Sequence, residues 1–185
     1  MNRRDFLQQS SLLGASALLP SCNMFNDPKM KMGYQLFSVR EDMNRDPVAT
    51  LTALKAMGYE DFEAYGFQPE TKTIYGLSTS DFKQVLDDLD LTTTSCHFGF
   101  ADYLGKPADT MDRFVDQCIT CAKTIGMPYV TWPWMAPEQR TLETYRQMPE
   151  LLSRIGERVT AAGLGFANHN HGFEFEDHDG ENAND

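Results

Sequence analysis

Five short apolar stretches begin near residues 32, 61, 92, 129 and 165, and an amphipathic stretch separates each from the next. That alternation constrains the fold more than any other feature of the chain. The first helix starts at Asp46-Pro47, a capping carboxylate followed by proline at the first helical position. Its stripe is Val48, Leu51, Leu54 and Met57, and Gly58 is placed to end it. The second, Ser78 to Asp90, carries Phe82, Val85, Leu86 and Leu89 at helical spacing. Asp109 is expected to cap the third, whose apolar face runs from Phe114 and Val115 through Cys118, Ile119 and Ala122 to Ile125 before Gly126. The fourth, Thr141 to Ala162, turns Leu142, Tyr145, Leu152, Ile155 and Val159 inward, and Pro149 is expected to kink or split it. Strands alternating with helices imply a parallel sheet with right-handed crossovers. A doubly wound sheet and an eight-stranded barrel both begin this way. No Gly-x-Gly-x-x-Gly follows the first strand, which weighs against a dinucleotide fold.

Polar and aromatic residues collect toward the C-terminal ends of the strands: Gln35, Glu63, His97, Trp132, Trp134, His169 and His171. Barrel enzymes build their sites on that face. The densest stretch is Gly165-Phe-Ala-Asn-His-Asn-His-Gly-Phe-Glu-Phe-Glu176, expected as the fifth strand. If it is extended throughout, His169 and His171 share one face and Asn168 and Asn170 the other. Two imidazoles on one face could share a metal or grip one polar ligand; equally, they could be hydrogen-bonded histidines at a polar strand end.

The start of the chain resembles an export signal. Arg3-Arg4, with Asp5-Phe6-Leu7 behind it, precedes an apolar run to Leu19 and then Pro20-Ser21-Cys22. A charged start, a short apolar core and small residues mark a secretory segment too short to span a bilayer. The arginine pair resembles a twin-arginine signal, and Leu19-Pro-Ser-Cys22 a lipobox in which Cys22 would be lipidated. The expected layout is a signal over 1–22, a tether over 23–31, a domain over 32–176 and a polar tail over 177–185. The product would be periplasmic or lipid-anchored, touching a membrane only through its N-terminus. A net charge of −11 argues against nucleic acid as a partner. Cys118 and Cys121, at i and i+3 in an apolar pattern, are expected as core residues rather than metal ligands.

Four segments, Gly33-Tyr-Gln-Leu-Phe-Ser-Val-Arg40, Met57-Gly-Tyr-Glu-Asp-Phe-Glu63, Ser95-Cys-His-Phe-Gly99 and His169-Asn-His-Gly-Phe-Glu-Phe175, resemble the sugar phosphate isomerase/epimerase family. The resemblance implies a xylose isomerase-like TIM barrel, here partial, with about five strands and four helices. It also implies a divalent metal (Mn, Mg, Co or Zn) and a small-molecule sugar substrate. His169 falls where relatives place a metal-ligating Glu, and His171 would stand beside it as a ligand or a substrate-binding donor. His97 matches a strand-three histidine that contacts metal or substrate in relatives, and Glu63 a strand-two Glu that favours a structural or substrate-hydroxyl contact; the two are the candidate catalytic residues. Gln35, Trp132 and Trp134 would bind substrate, the tryptophans as an apolar wall for a sugar ring. The implied reaction is isomerisation or epimerisation through enolate-type proton transfer. A keto-sugar lyase or dehydratase, or a carbohydrate-binding lipoprotein without activity, are the alternatives. The family's later strands, with further ligands, are not in this sequence, so a C-terminally truncated and inactive barrel is expected.

Overall fold

A computed structural model describes residues 30–178 and 181–182; the expected signal with Cys22, and the tether as far as residue 29, lie outside the described residues. The principal sheet has five strands: β1 (Gly33–Gln35), β2 (Asp61–Tyr65), β5 (Thr92–His97), β6 (Tyr129–Trp132) and β7 (Gly165–Asn168). A small antiparallel hairpin of β3 (Thr73–Ile74) and β4 (Leu77–Ser78) follows β2. The helices are α1 (Arg40–Arg45), α2 (Pro47–Ala56), α3 (Thr79–Asp88), α4 (Ala108–Ile125) and α5 (Leu142–Ala161).

Spatial order in the sheet is β1-β2-β5-β6-β7, and every neighbouring pair is parallel. Once the hairpin is set aside, each strand lies beside the one that precedes it in the chain. A doubly wound sheet reverses direction at a switch point; this order never does, so the chain winds as a barrel winds. All five strands consequently end on the same edge, at Gln35, Tyr65, His97, Trp132 and Asn168.

The helix-facing side of the sheet is apolar. Ala64, Cys96 and Val130 are fully buried there in one register row. Against them α4 presents Met111, Phe114, Val115, Cys118, Cys121, Ala122 and Ile125, all buried. Deleting one such side chain, as in Phe114→Ala, would cost about 3–5 kcal/mol. Cys96, Cys118 and Cys121 are free and buried, which for Cys118 and Cys121 is what the helical spacing implied. Burial pushes all three thiols up, Cys121 to about 12, so they pack as neutral groups.

The helix boundaries show how local chemistry sets them. Asp46 caps α2, accepting the Ala49 N–H at 2.9 Å, with Pro47 at its first position. Gly126 ends α4 in the left-handed conformation, φ 88°. β6 stops at Trp132, the residue before Pro133.

Several expectations are corrected. The apolar stretch Met32–Val39, expected as the first strand, is extended only over Gly33–Gln35, and Leu36–Val39 forms a 3₁₀ turn that Gln35 caps. Five α-helices are present among the described residues rather than four, since the short α1 precedes the Asp46 cap. α4 begins at Ala108 behind Pro107, and Asp109 lies in its first turn instead of capping it. Pro149 does not divide α5, which runs unbroken over twenty residues. Proline costs a helix interior about 3 kcal/mol, and the buried Tyr145, Met148, Ile155 and Val159 hold the helix to the sheet in spite of it. The fifth strand stops at Asn168 and does not reach Glu176. In the expected polar tail, Asp177–His178 (β8) and Glu181–Asn182 (β9) pair as antiparallel strands. Among the described residues no helix is long and apolar enough to cross a membrane.

Candidate metal and substrate site

Register carries polar residues across the face of the sheet opposite the helices. Gln35 pairs with Glu63, Glu63 with Ser95, and His97 with Thr131. A register irregularity between Phe62 and Glu63 brings Glu63 opposite Ser95 rather than Thr94. Glu63 Oε1 accepts the Ser95 hydroxyl at 2.7 Å. Glu63 Oε2 lies 3.1 Å from His97 Nε2. The geometry does not align an Nε2–H on that oxygen, and Nε2 is buried without a hydrogen-bond partner.

His169 follows β7 directly, and its N–H still donates to the Trp132 carbonyl at 2.9 Å. One more rung of ladder is thus made past the strand, which carries the ring to the sheet's edge. Its centroid stands 4.9 Å from that of His97, edge to face. Donor atoms of Glu63, His97 and His169 all lie within 4.8 Å of one another. One carboxylate and two imidazoles make a donor set that suits Zn, Co or Mn. Oε2 takes no hydroxyl and His97 Nε2 is unsatisfied, so the set fits a divalent ion or an ion with a substrate oxygen.

Electrostatics divide the cluster. Burial raises the Glu63 carboxyl, but the adjoining His97 ring, the Ser95 hydroxyl and the charges of His97 and His169 outweigh it and hold the group below the usual carboxylate range. Burial lowers His169, and the neighbouring His97 and His171 lower it further against the pull of Glu63 and Glu174. A firmly ionised carboxylate thus stands beside a ring that stays neutral, and only a neutral imidazole offers a lone pair.

The other expected residues take distinct places. His171 lies beyond the strand, so strand alternation does not align it with His169; a loop brings their centroids to 4.7 Å. Its ring stacks on Phe173 at 5.1 Å, and the His171 backbone N–H donates to Glu174 Oε2 at 2.7 Å. Gln35 spends its amide on protein partners, the Phe37 N–H and the His97 ring. Trp132 is 2% exposed and stacks flat on Phe100, centroids 5.2 Å apart. Trp134 is 45% exposed, with the Arg140 guanidinium 5.3 Å above its ring. A hollow of about 200 Å³ adjoins the cluster, with Trp134, Met135, Tyr145, His169, Phe173 and Glu174 among its walls.

Sequence reasoning missed Ser95, which two-residue spacing from His97 on one strand face would have found. It also missed Arg140, Tyr145 and Phe173, where the guanidinium lies 3.8 Å over the Phe173 ring and the Tyr145 hydroxyl donates to the Phe173 carbonyl at 3.3 Å. Those contacts join α5 and the segment just before it to the loop after β7, and no local pattern announces them.

No family model and no curated protein matches the sequence. Solved structures do. A sugar phosphate isomerase/epimerase from Parabacteroides distasonis superposes with a TM-score of 0.68 at 25% identity, over 79% of this chain and 53% of that one. A xylose isomerase domain containing protein from Salmonella typhimurium gives 0.55 at 9% identity, over 78% and 50%. The IolI protein, solved with a bound zinc atom, gives 0.54 at 16%, over 75% and 51%. The chain spans about half the length of these proteins. Its fold is that of the xylose isomerase-like TIM barrels, and it is structurally similar to sugar phosphate isomerase/epimerase proteins.

Proposed function

We propose that the protein is a metal-dependent isomerase or epimerase of a sugar or sugar derivative, working by proton transfer beside a carbonyl. The observation that carries the reading is the Glu63, His97 and His169 cluster at the C-terminal edge of a xylose isomerase-like sheet. Glu63 and His169 would hold the ion, one as a carboxylate and the other as a neutral ring. When bound, a divalent ion supplies polarisation of a sugar carbonyl, which makes the neighbouring C–H acidic. The chain's own residues orient and protect. Ser95 fixes the Glu63 carboxylate, and the exposed Trp134 offers an apolar face to a sugar ring in the adjoining hollow. Glu63 suits a holding role better than a general base, because its proton affinity is depressed and a base works best with a pKa near the working pH.

The test is metal content and turnover of the purified chain on a panel of aldoses, ketoses and their phosphates, before and after a chelator. His169→Ala is expected to lower bound metal at least about tenfold, by the scale on which metal-site substitutions act. Unchanged metal content in that variant would remove His169 from the donor set. Turnover indifferent to the chelator would end the metal-dependent reading.

A further inference from the structure

The Gln35 amide lies between two groups of unlike hydrogen-bonding capacity. On one side the Phe37 backbone N–H can only donate, and Gln35 Oε1 accepts it while capping the 3₁₀ turn. That contact decides which end of the amide is oxygen. Turned over, an NH₂ would face an N–H, leaving two donors with no acceptor between them. Gln35 Nε2 therefore points to the other side, where His97 Nδ1 lies 3.3 Å away. An amide nitrogen only donates, so Nδ1 must accept. A neutral imidazole carries one N–H, and the His97 hydrogen consequently sits on Nε2. Nε2 is the buried atom 3.1 Å from Glu63 Oε2 that lacks an aligned partner.

We propose that Gln35 is a positioning residue that locks His97 in its Nε2–H tautomer, making His97 a neutral hydrogen-bond donor to a substrate oxygen beside Glu63 and not a metal ligand. A ligating imidazole presents a lone pair to the metal and donates its other N–H to a carboxylate or carbonyl. Gln35 presents the opposite polarity to that second nitrogen. The backbone enforces the choice: β1 ends at Gln35, and the turn that follows places the Phe37 N–H against the amide oxygen. The three-donor cluster then divides into two lone-pair groups, Glu63 and His169, and one proton donor, His97. The tautomer rests on this geometry alone, whereas a substrate oxygen as its acceptor rests on the isomerase reading above.

The experiment is long-range ¹H–¹⁵N correlation on the chelator-treated full chain with ¹⁵N-labelled histidine, at about pH 8.5, where an ordinary imidazole is neutral. The His97 signals are identified by their loss in His97→Gln. The expected spectrum has a pyrrole-type Nε2 and a pyridine-type Nδ1, and the reverse pattern in the wild type overturns the proposal with no further variant needed. Gln35→Glu replaces the donor facing Nδ1 with an acceptor. It should move the hydrogen to Nδ1, free the Nε2 lone pair and tighten Zn²⁺ binding about tenfold or more by titration calorimetry. A Gln35→Glu spectrum with the wild-type tautomer also overturns the lock. A wild-type chain that binds no Zn²⁺, yet shows Nε2–H and switches in Gln35→Glu, supports the lock and sinks the metal reading. Zn²⁺ bound with His97 as Nδ1–H sinks the lock and leaves that reading standing.

Discussion

The His97 and His169 rings meet edge to face with centroids 4.9 Å apart, although β6 lies between their strands. Neighbouring strands are spaced by about 4.8 Å, so the two backbones stand roughly 10 Å apart. The rings close that gap because both side chains reach across β6 toward each other. Their closeness has an electrostatic consequence, since His97 is the largest influence on His169 after burial, and both lower it. His97→Asn in metal-free protein should therefore raise the His169 pKa toward about 6.5 without reaching it, because burial and His171 remain. A ring whose folded pKa is depressed costs stability once pH falls below its unfolded value, so the variant should lose less stability between about pH 7 and 5. NMR titration of the ring and urea midpoints over that range measure both. A His169 pKa that falls in the variant contradicts the arrangement.

Ser95 supplies the single hydroxyl on Glu63 Oε1, at 2.7 Å. Ser95→Ala should raise the Glu63 pKa and cost about 1–2 kcal/mol at neutral pH, the scale of a hydrogen bond to a partly exposed charge. The folded carboxyl lies below its ordinary range, so its stabilising contribution is full above about pH 4.3 and is lost as pH falls through the folded value. The deficit of Ser95→Ala relative to wild type should accordingly shrink on acidification below that point. Equal urea midpoints at neutral pH would show that the hydroxyl does not support the carboxylate.

A closer-looking pair should matter less. Arg158 on α5 donates from Nε and Nη2 to both oxygens of Asp116 on α4, at 2.7 and 2.6 Å. The side chains remain 44% and 55% exposed, so water competes for both charges. Arg158→Ala should change stability by no more than about 1 kcal/mol, and added salt should erase much of the difference. A loss of several kcal/mol would mean that the bidentate geometry locks α4 to α5.

Strand starts and helix spans were legible because their signals are local: Asp46-Pro47, the Phe82–Leu89 stripe and Gly126 each act within one turn. Barrel winding followed from alternation together with the missing glycine motif. Chemistry at the strand ends was legible as residue types on a common edge, which joins Gln35, Glu63, His97 and His169. What stayed hidden depended on contacts distant in sequence or on a strand's stopping point. His171 looked like a strand partner of His169 because period-two spacing cannot say where extension ends. The Gln35 capping contact shortened β1 and turned that amide toward the Phe37 N–H and the His97 ring. Trp132 and Trp134 looked equivalent as strand-end aromatics, since exposure is a tertiary property.

Those two tryptophans, separated by Pro133, offer the sharpest separation of packing from binding. Trp132 lies flat on Phe100 with an interplanar angle of 6°, and Phe114 and Phe166 pack against that same Phe100 ring. Its removal leaves a cavity in the aromatic centre of the helix layer, so Trp132→Ala should cost about 3–5 kcal/mol. Trp134 sits on the rim of the hollow under Arg140, and Trp134→Ala should shift stability by only about 0.5 kcal/mol. Loss of its ring should instead weaken sugar binding, because an exposed indole face stacks on a sugar's apolar side. The chain has just these two tryptophans, so fluorescence reads each one singly. Trp134→Phe should leave a blue emission that acrylamide barely quenches, and Trp132→Phe a red, readily quenched one. A sugar that shifts the emission of the Trp132→Phe protein, but not that of Trp134→Phe, would assign the binding wall to Trp134. The converse would place the sugar against the part of Trp132 that also lines the hollow, and would take Trp134 out of the binding wall.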